Sequence, residues 1–209
     1  MCAELVLLQY YCDRLNPCFM DYAEFGKTYT FEEYWELELQ SVERHEFVNG
    51  KILIVPGVTQ KHNFITINLG IALKSALKNR SFHVFTSSVK LEIEPKKDYT
   101  YPDVCVAAKE GNNPDDLLIT NAILVVEVLS EGTKLYDKVD KFLRYKKLPT
   151  LQYYILVDTD TVFVDVYCKQ PDGEHWEDNI YTQITDTIHL PLLDIKLDLQ
   201  DIYQDLLFH

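Results

Sequence analysis

The stretch Ile123-Leu124-Val125-Val126-Glu127-Val128-Leu129 carries the strongest structural signal in this chain, because it is apolar at every position except one. A strand with one exposed face alternates apolar and polar residues, whereas a strand covered on both faces is apolar almost throughout. The stretch therefore predicts the central strand of a sheet. Glu127 lies inside it, where an unpaired ionised carboxylate would cost several kcal/mol. A neutral acid with a raised pKa, a salt-bridged core group and a metal ligand all remain as explanations.

Upstream of this strand, three local signals predict regular structure. Thr30 with Glu33 forms a capping box that begins a helix of about ten residues. Asn49-Gly50 between two apolar runs is typical of a two-residue hairpin turn. Thr59 can cap a second helix, whose apolar residues recur at helical spacing to about Lys78.

The remaining elements follow from periodicity. We predict strands at Phe82–Thr86, Val89–Ile93, Val104–Ala108, Tyr153–Val157 and Val162–Tyr167, with a weaker candidate at Tyr181–Ile184. We predict helices at Leu135–Lys147 and Leu197–Leu206. Because strands and helices do not alternate as βαβ units, the fold class is α/β with a central mixed sheet flanked by helices.

Length and composition predict one domain and a reducing compartment. A chain of 209 residues fits a single globular domain, which we assign to residues 28–209, with residues 1–27 as a peripheral extension. No apolar run approaches the roughly 18 residues of a membrane span, so we expect no membrane partner. The five cysteines contain no Cys-x-x-Cys pair and leave an odd thiol, which favours the cytoplasm. We also expect a homodimer.

The net charge of −13 speaks against a protein that coats nucleic acid nonspecifically. The basic residues are nevertheless segregated. Residues 61–97 hold seven Lys and Arg against two Glu, and residues 132–147 hold six against two Asp. These segments predict either a solvated face or a positive surface for phosphates, and in the second case both should flank one cleft that includes Lys74 and Lys78.

Several chemistries lack the residues they need. None of the seven glycines forms a Gly-x-Gly-x-x-Gly or phosphate-loop motif. The chain has no Gly-x-Ser-x-Gly elbow and no His pair at i, i+4. Dinucleotide, P-loop, serine-hydrolase and zincin interpretations are therefore excluded.

A second acid precedes the strand at Val104–Ala108. Asp103, in Tyr101-Pro102-Asp103, would lie about 4.8 Å from the strand of Glu127 if the two strands pair. Two hard oxygen ligands could then meet. Asp137, Lys141 and Tyr145 follow at i, i+4 and i+8, so they share one helical stripe that could face the strand end.

These motifs, in this order, resemble a family of proteins. Tyr101-Pro102-Asp103, then Val126–Ser130 with Thr133, then Asp137-x-x-x-Lys141-x-x-x-Tyr145 are similar to the cyanobacterial-expanded family of restriction-endonuclease-like proteins within the PD-(D/E)XK nuclease superfamily. Arg44–Gly50 and His62-Asn63 resemble its upstream motifs, and the resemblance spans about Thr28 to Phe208. The superfamily's usual lysine, two residues after the acid, is replaced by Leu129. Lys141 on the following helix would take its place, with Lys90 as a competitor.

The resemblance implies a restriction-endonuclease-like core and an endonuclease that hydrolyses phosphodiester bonds, in DNA, with Mg²⁺ or Mn²⁺. Asp103, Glu127 and the Val128 carbonyl would hold the ion, and Lys141 would orient the attacking water. The remaining roles implied are these: Glu46 as an outer acid or second metal ligand, His62 and Tyr145 as phosphate or outer contacts, Asp137 as a partner fixing Lys141, and Ser130 as the cap of the strand-to-helix turn.

Each residue also has a plainer interpretation. His62 and Tyr145 could be packing residues, Asp137 with Lys141 a surface pair, Glu46 a solvated side chain and Asp103 a turn residue. The alternative function is a nuclease-derived fold that has lost its chemistry and serves as a binding or assembly module. Only the enzyme requires Asp103, Glu127 and a lysine to converge within a few ångströms.

Overall fold

The computed structural model describes residues 27–130 and 137–206, with only the backbone of Asp137. In chain order the elements are α1 (Phe31–Gln40), β1 (His45–Val48), β2 (Lys51–Ile54), α2 (Gln60–Ala76), β3 (Phe82–Thr86), β4 (Lys90–Glu94), β5 (Asp98–Thr100), β6 (Val104–Ala108), β7 (Leu118–Ile119), β8 (Ala122–Leu129), a π-helical turn (Asp137–Lys141), α3 (Phe142–Tyr145), β9 (Tyr153–Asp158), β10 (Val164–Lys169), β11 (Trp176–Tyr181), β12 (Thr187–Leu190), a 3₁₀ turn (Pro191–Leu193), β13 (Ile195–Asp198) and α4 (Leu199–Ile202). The N-terminal extension proposed from the sequence lies, up to residue 26, outside the described residues.

The main sheet has six strands in the order β11-β10-β9-β8-β6-β3. Strand β8 pairs antiparallel with β6 and parallel with β9, so the sheet is mixed. Val126 packs in a core cluster on one face and Val125 in a second cluster on the other face. The prediction of an interior strand covered on both faces is therefore confirmed.

The second sheet has five strands in the order β2-β1-β5-β4-β7, and β12 pairs with β13 as a separate hairpin. Strands β1 and β2 are joined by Asn49 and Gly50, which have φ of 49° and 87°. Such left-handed values are why Asn-Gly is favoured in this turn. The predicted hairpin is confirmed.

Both predicted N-terminal helices are present. At α1, the Glu33 N–H donates to the Thr30 hydroxyl and the Thr30 N–H donates to the Glu33 carboxylate, at 3.2 and 2.8 Å. At α2, Thr59 caps the helix, and buried Ile65, Leu69 and Leu73 pack on the main sheet. This packing holds the first turn of α2 beside that sheet.

Five predicted strands agree with β3, β4, β6, β9 and β10 within two residues at each end. Two predictions near the C-terminus are wrong. Strand β11 ends at Tyr181 rather than beginning there. Leu197 belongs to β13, where buried and exposed residues alternate, and α4 begins only at Leu199. Period-two burial is the pattern of a strand, which overrides the helical spacing assumed for Leu197–Leu206.

The helix predicted at Leu135–Lys147 differs in form where it is described. Its first described turn, Asp137–Lys141, is π-helical, and α3 continues it to Tyr145. π-Helical turns are rare and occur frequently at functional sites. In the part of the chain that the structure describes, no helix is both long and apolar enough to cross a membrane.

Candidate active site

Two acids meet where β6 begins beside β8. The register pairs Val104 with Val126, which places Asp103 opposite Glu127 one position further along. Directly opposed residues on antiparallel strands lie about 4.5–5.5 Å apart. The strand pairing on which the sequence argument depended is therefore present.

Asp103 is held by groups from two elements. Its Oδ2 accepts a hydrogen bond from the Val128 N–H at 2.8 Å and lies 3.2 Å from His62 Nε2. An ionised carboxylate has no hydrogen to offer, so His62 Nε2 is the donor in this contact. The Asp103 carbonyl also accepts from the Ser87 N–H at 3.0 Å. Asp103 is thus fixed on both its side chain and its backbone, unlike a residue of an ordinary solvated turn.

Pro102 determines what happens to the carbonyl of Val128. In a strand, the N–H and C=O of one residue point to the same side. Because the Val128 N–H is directed toward Asp103, the Val128 carbonyl also faces β6. The residue opposite it in this register is Pro102, which has no N–H to donate. Proline therefore leaves this carbonyl without a ladder partner from that position.

Glu127 is only 2% exposed, and each of its oxygens has a partner. The Tyr145 hydroxyl donates to Oε1 at 2.5 Å, and Lys141 Nζ lies 3.1 Å from Oε2. Burial and the charge of Glu127 raise the pKa of Tyr145 well above its usual value, so its hydroxyl stays protonated and donates. Lys141 and Tyr145 therefore meet at one acid, as their spacing of four residues predicted.

Glu46 lies on the second sheet and faces the same lysine. Its Oε1 accepts from the Thr100 hydroxyl at 2.5 Å and is 4.0 Å from Lys141 Nζ, while Oε2 accepts from Arg144 at 2.9 Å. Burial acts to raise the pKa of Glu46, but the charges of Arg144 and Lys141 outweigh it and hold the pKa below its usual value. At 5% exposure, Glu46 is not the solvated side chain of the plainer interpretation.

Arg144 was not found by the sequence argument. Its guanidinium also binds Asp98, at 2.7 Å, so it joins the carboxylates of β5 and β1 to the helix that carries Lys141. The only signal in the sequence was its place one turn after Lys141. Asp98, which is fully buried, gave no signal, because the short strand β5 was not predicted.

Lys90, the competing lysine, lies in a different cluster. Its ammonium is 3.4 Å from Glu38 and lies over the rings of Tyr34 and Trp35, at 4.6 and 4.7 Å from their centroids. Burial lowers the pKa of Lys90, although Glu38 opposes this effect. Lys141, and not Lys90, is the lysine described in contact with Glu127.

Two further predicted site residues, Ser130 and Asp137, border the segment 131–136, which is outside the described residues. Ser130 directly follows β8, but residues 131–136 of the turn that it was predicted to cap, including Thr133, are outside the described residues. The side chain of Asp137 is also outside them. Their roles stay predictions.

The donor set favours a hard cation. Within residues 27–130 and 138–206, no group of three or more His, Cys, Asp or Glu side chains is placed to hold a metal ion. Asp103 and Glu127 instead offer two carboxylates beside a backbone carbonyl. Mg²⁺ usually binds proteins through one or two carboxylates, with water and substrate phosphates completing its shell, and Mn²⁺ accepts the same ligands. These residues fit such an ion, and they do not fit a closed zinc site.

A family model described as "Uma2: Putative restriction endonuclease" matches residues 31–200. Two proteins of Synechocystis sp. (strain ATCC 27184 / PCC 6803 / Kazusa) are similar in sequence. Uncharacterized protein sll1609 is 36% identical over 150 residues, covering 71% of this chain and 85% of that protein. Uncharacterized protein slr1290 is 33% identical over 177 residues, covering 85% and 92%.

The fold also matches a solved structure. The crystal structure of "a putative nuclease belonging to DUF820" from Anabaena variabilis ATCC 29413 superposes with a TM-score of 0.68. The match covers 83% of this chain and 97% of that chain at 20% sequence identity, a level at which the likeness concerns the fold. The mixed α/β architecture is therefore that of a nuclease-like fold.

Proposed function

The chain belongs to the Uma2 family of restriction-endonuclease-like proteins, as its motifs predicted, and from this premise we propose that it is a metal-dependent endonuclease acting on DNA. The family membership supports a nuclease. The divalent ion, the DNA substrate and the roles of individual residues are what we propose beyond that membership.

One observation carries the proposal: Asp103, Glu127 and Lys141 converge. Asp103 and Glu127 lie opposite each other on paired strands, and the Lys141 ammonium is 3.1 Å from Glu127. A structural ion pair would need only one acid and one base. The second acid, with the Val128 carbonyl beside it and opposite Pro102, supports a site built for a cation and a phosphate.

The proposed mechanism assigns one task to each residue. Asp103, Glu127 and the Val128 carbonyl hold Mg²⁺ or Mn²⁺, and when bound the ion supplies positive charge that polarises the scissile phosphate. Lys141 orients the attacking water and offsets the negative charge that grows on the phosphate. Tyr145 fixes Glu127, and His62 fixes Asp103. Glu46, held ionised by Arg144, keeps a negative charge 4.0 Å from the Lys141 ammonium and thereby helps to hold that ammonium beside Glu127.

A specific observation favours the second candidate, a module that binds or assembles without chemistry. The Lys141 ammonium lies 3.1 Å from Glu127, and a buried acid paired with a lysine in this way is the arrangement of a core salt bridge. The net charge of −13 also weighs against a general DNA-binding protein. The homodimer and the cytoplasmic location stay predictions from the sequence.

A cleavage assay separates the two candidates. Supercoiled plasmid is incubated with the wild-type chain, Asp103→Ala, Glu127→Ala and the control Ser41→Ala, with Mg²⁺, Mn²⁺ or chelator. Ser41 is the C-cap of α1, and among the described residues it makes no hydrogen bond to the proposed site residues. We expect divalent-dependent nicking by the wild type and Ser41→Ala, and loss of roughly 10²-fold or more in each acid variant, because each removes charge stabilisation from the reacting phosphate. Unchanged nicking in either acid variant would overturn the site assignment. No nicking by the folded wild type on plasmid, duplex or single-stranded DNA would favour the binding module.

A further inference from the structure

A basic groove lies between the second half of α2 and the edge strand β3, with a volume of about 900 Å³. Among the described strands β3 pairs with β6 alone, so its other side borders the groove as a sheet edge. Four cations line the groove, namely Lys74, Lys78, Arg80 and Lys109. Among the described residues no acidic side chain lines it, although Asp194 pairs with Arg80 at 2.8 Å, in a chain that carries 33 Asp and Glu against 20 Lys and Arg. We call it the α2–β3 groove.

The groove also has an apolar component. Ile67, Ile71, Phe82 and Val84 line it, and Ile71 on α2 is 63% exposed. Apolar area of this kind is not covered by an ion or by the phosphates of a duplex, which keeps its bases stacked inside. Unpaired bases, in contrast, present faces that lie on aromatic and apolar side chains while cations neutralise their phosphates.

The α2–β3 groove leads to the candidate active site. Thr86 lines the groove, and the next residue, Ser87, donates its N–H to the Asp103 carbonyl at 3.0 Å. On the helix side, His62 contacts Asp103 in the first turn of α2, and Lys74 follows twelve residues later. At 1.5 Å per residue, that is about 18 Å, a distance that several nucleotides of a single strand can span.

We propose that the α2–β3 groove binds a single-stranded segment of the DNA substrate and delivers it to the site at Asp103 and Glu127. The choice of DNA rests on the proposed function. An acidic peptide added to the edge of β3 would match the charge, but only a nucleic acid accounts for a basic groove that ends at a phosphodiester site. The substrate class is therefore DNA with an unpaired strand of several nucleotides beside the cleavage point.

The test is a binding measurement in chelator, where no divalent-dependent cleavage occurs, so that its outcome does not depend on activity. Fluorescence anisotropy compares a labelled 20-nucleotide single strand with the duplex of the same sequence across a salt series. The variants are Lys74→Gln/Lys78→Gln, which removes two positive charges, and Phe82→Leu, which removes an aromatic ring from the apolar floor formed by Ile67, Ile71, Phe82 and Val84. The charge-matched control is Lys51→Gln/Lys169→Gln, because neither lysine lines the groove.

We expect the wild type to bind the single strand more tightly than the duplex. The Lys74/Lys78 variant should reduce the slope of log K against log salt by about 1.4, which is 0.7 for each lost contact to a single-stranded phosphate. Phe82→Leu should weaken single-strand binding about fivefold or more and leave duplex binding unchanged. The control should match the wild type.

Three results would overturn the proposal. The first is equal binding of single strand and duplex, with neither groove variant changing the affinity. The second is tighter binding of an RNA strand of the same sequence than of the DNA strand, and the third is binding of an acidic peptide with no binding of nucleic acid. If Phe82→Leu does not fold, Ile71→Ser tests the same floor at an exposed position. Single-strand binding through the groove without cleavage of any DNA would reject the nuclease and keep the groove. Cleavage of DNA by the wild type, with groove variants that bind DNA as the wild type does, would keep the nuclease and reject the groove.

Discussion

Glu127 is tolerated in the core because two side chains of the following helix meet it there. The Tyr145 hydroxyl takes one oxygen and the Lys141 ammonium the other. Removing one partner of a buried ion pair is costly because the remaining charge has lost its water without compensation. Lys141 therefore has a structural duty without the ion, and the catalytic duty that we propose with it.

Replacing Lys141 separates these duties. Lys141→Met keeps the stem length, so in chelator we expect unfolding by urea to show a loss of about 3–5 kcal/mol. Mg²⁺ should restore part of this stability, since a divalent ion can replace the lost charge, while turnover stays abolished. The control is Lys97→Met, whose pair with Glu94 is largely exposed and should contribute about 0–1 kcal/mol. Equal stability of the two variants, with no effect of Mg²⁺, would contradict this view.

Glu46 gives a prediction about pH. Its pKa in the folded chain is held below the unfolded value of about 4.3, so the folded state favours the ionised form. Its stabilisation is therefore fully present above that value and is lost as the pH falls toward the folded pKa, where the unfolded chain takes up the proton first.

The measurement compares urea unfolding of the wild type with Glu46→Gln between pH 7 and pH 3. We expect the variant to be less stable at pH 7, with the difference shrinking below about pH 5. Glu43→Gln, at an exposed position three residues away, controls for the general effect of acid. A difference that stays constant over the whole range would mean that Glu46 is not held ionised by its neighbours.

Among the elements, α3 is anchored to the five-stranded sheet through one side chain. Arg144 binds Glu46 of β1 and Asp98 of β5, and all three are buried. We expect Arg144→Met to lower the free energy of unfolding by about 3–5 kcal/mol, because two buried carboxylates would lose their counter-charge.

Arg80→Met is the matched control for this variant. Its pair with Asp194 has the same chemistry and a 2.8 Å distance, but it is exposed, so we expect a loss of about 0–1 kcal/mol. Urea unfolding measures both variants. Similar losses for Arg144→Met and Arg80→Met would show that α3 is not anchored by this arginine.

The elements that were predicted correctly from the sequence are those determined by interactions between residues close together in the chain. The capping box at Thr30, the Asn-Gly turn and the apolar run around Glu127 each depend on residues a few positions apart. Strand β11 is a largely polar edge strand, so periodicity carried no signal for it. At β13, the alternation was short enough to be mistaken for a helical face.

The residues of the candidate site likewise divide into those that local motifs predicted and those that only long-range contacts bring together. Asp103, Glu127 and Lys141 could be named from motif order, and the register of β6 with β8 then explained why the two acids meet. Arg144, Asp98 and Thr100 could not, because their contacts with Glu46 or with each other join residues that are 46 or more positions apart. Such contacts depend on the pairing of β1 with β5 and on the packing of α3 against them, which no local pattern encodes.

In the whole molecule, the site lies where the two sheets meet. The six-stranded sheet supplies Glu127 and, just before β6, Asp103, while the five-stranded sheet supplies Glu46. Lys141 lies within 4.0 Å of acids from both sheets, and the α2–β3 groove approaches from the side of Asp103. A metal-dependent nuclease should bind a divalent ion at this junction, whereas a salt-bridged core should not.

The decisive measurement is anomalous diffraction from a crystal of the wild-type chain soaked in Mn²⁺, with Asp103→Asn as the control. We predict a peak that contacts the carboxylates of Asp103 and Glu127 and the Val128 carbonyl at about 2.0–2.2 Å, with the Lys141 ammonium moved away from Glu127 Oε2. The control should lose the peak or bind the ion more weakly. No peak in the wild type at saturating Mn²⁺, with Lys141 still on Glu127, would contradict the metal site and leave Glu127 as a structural core group.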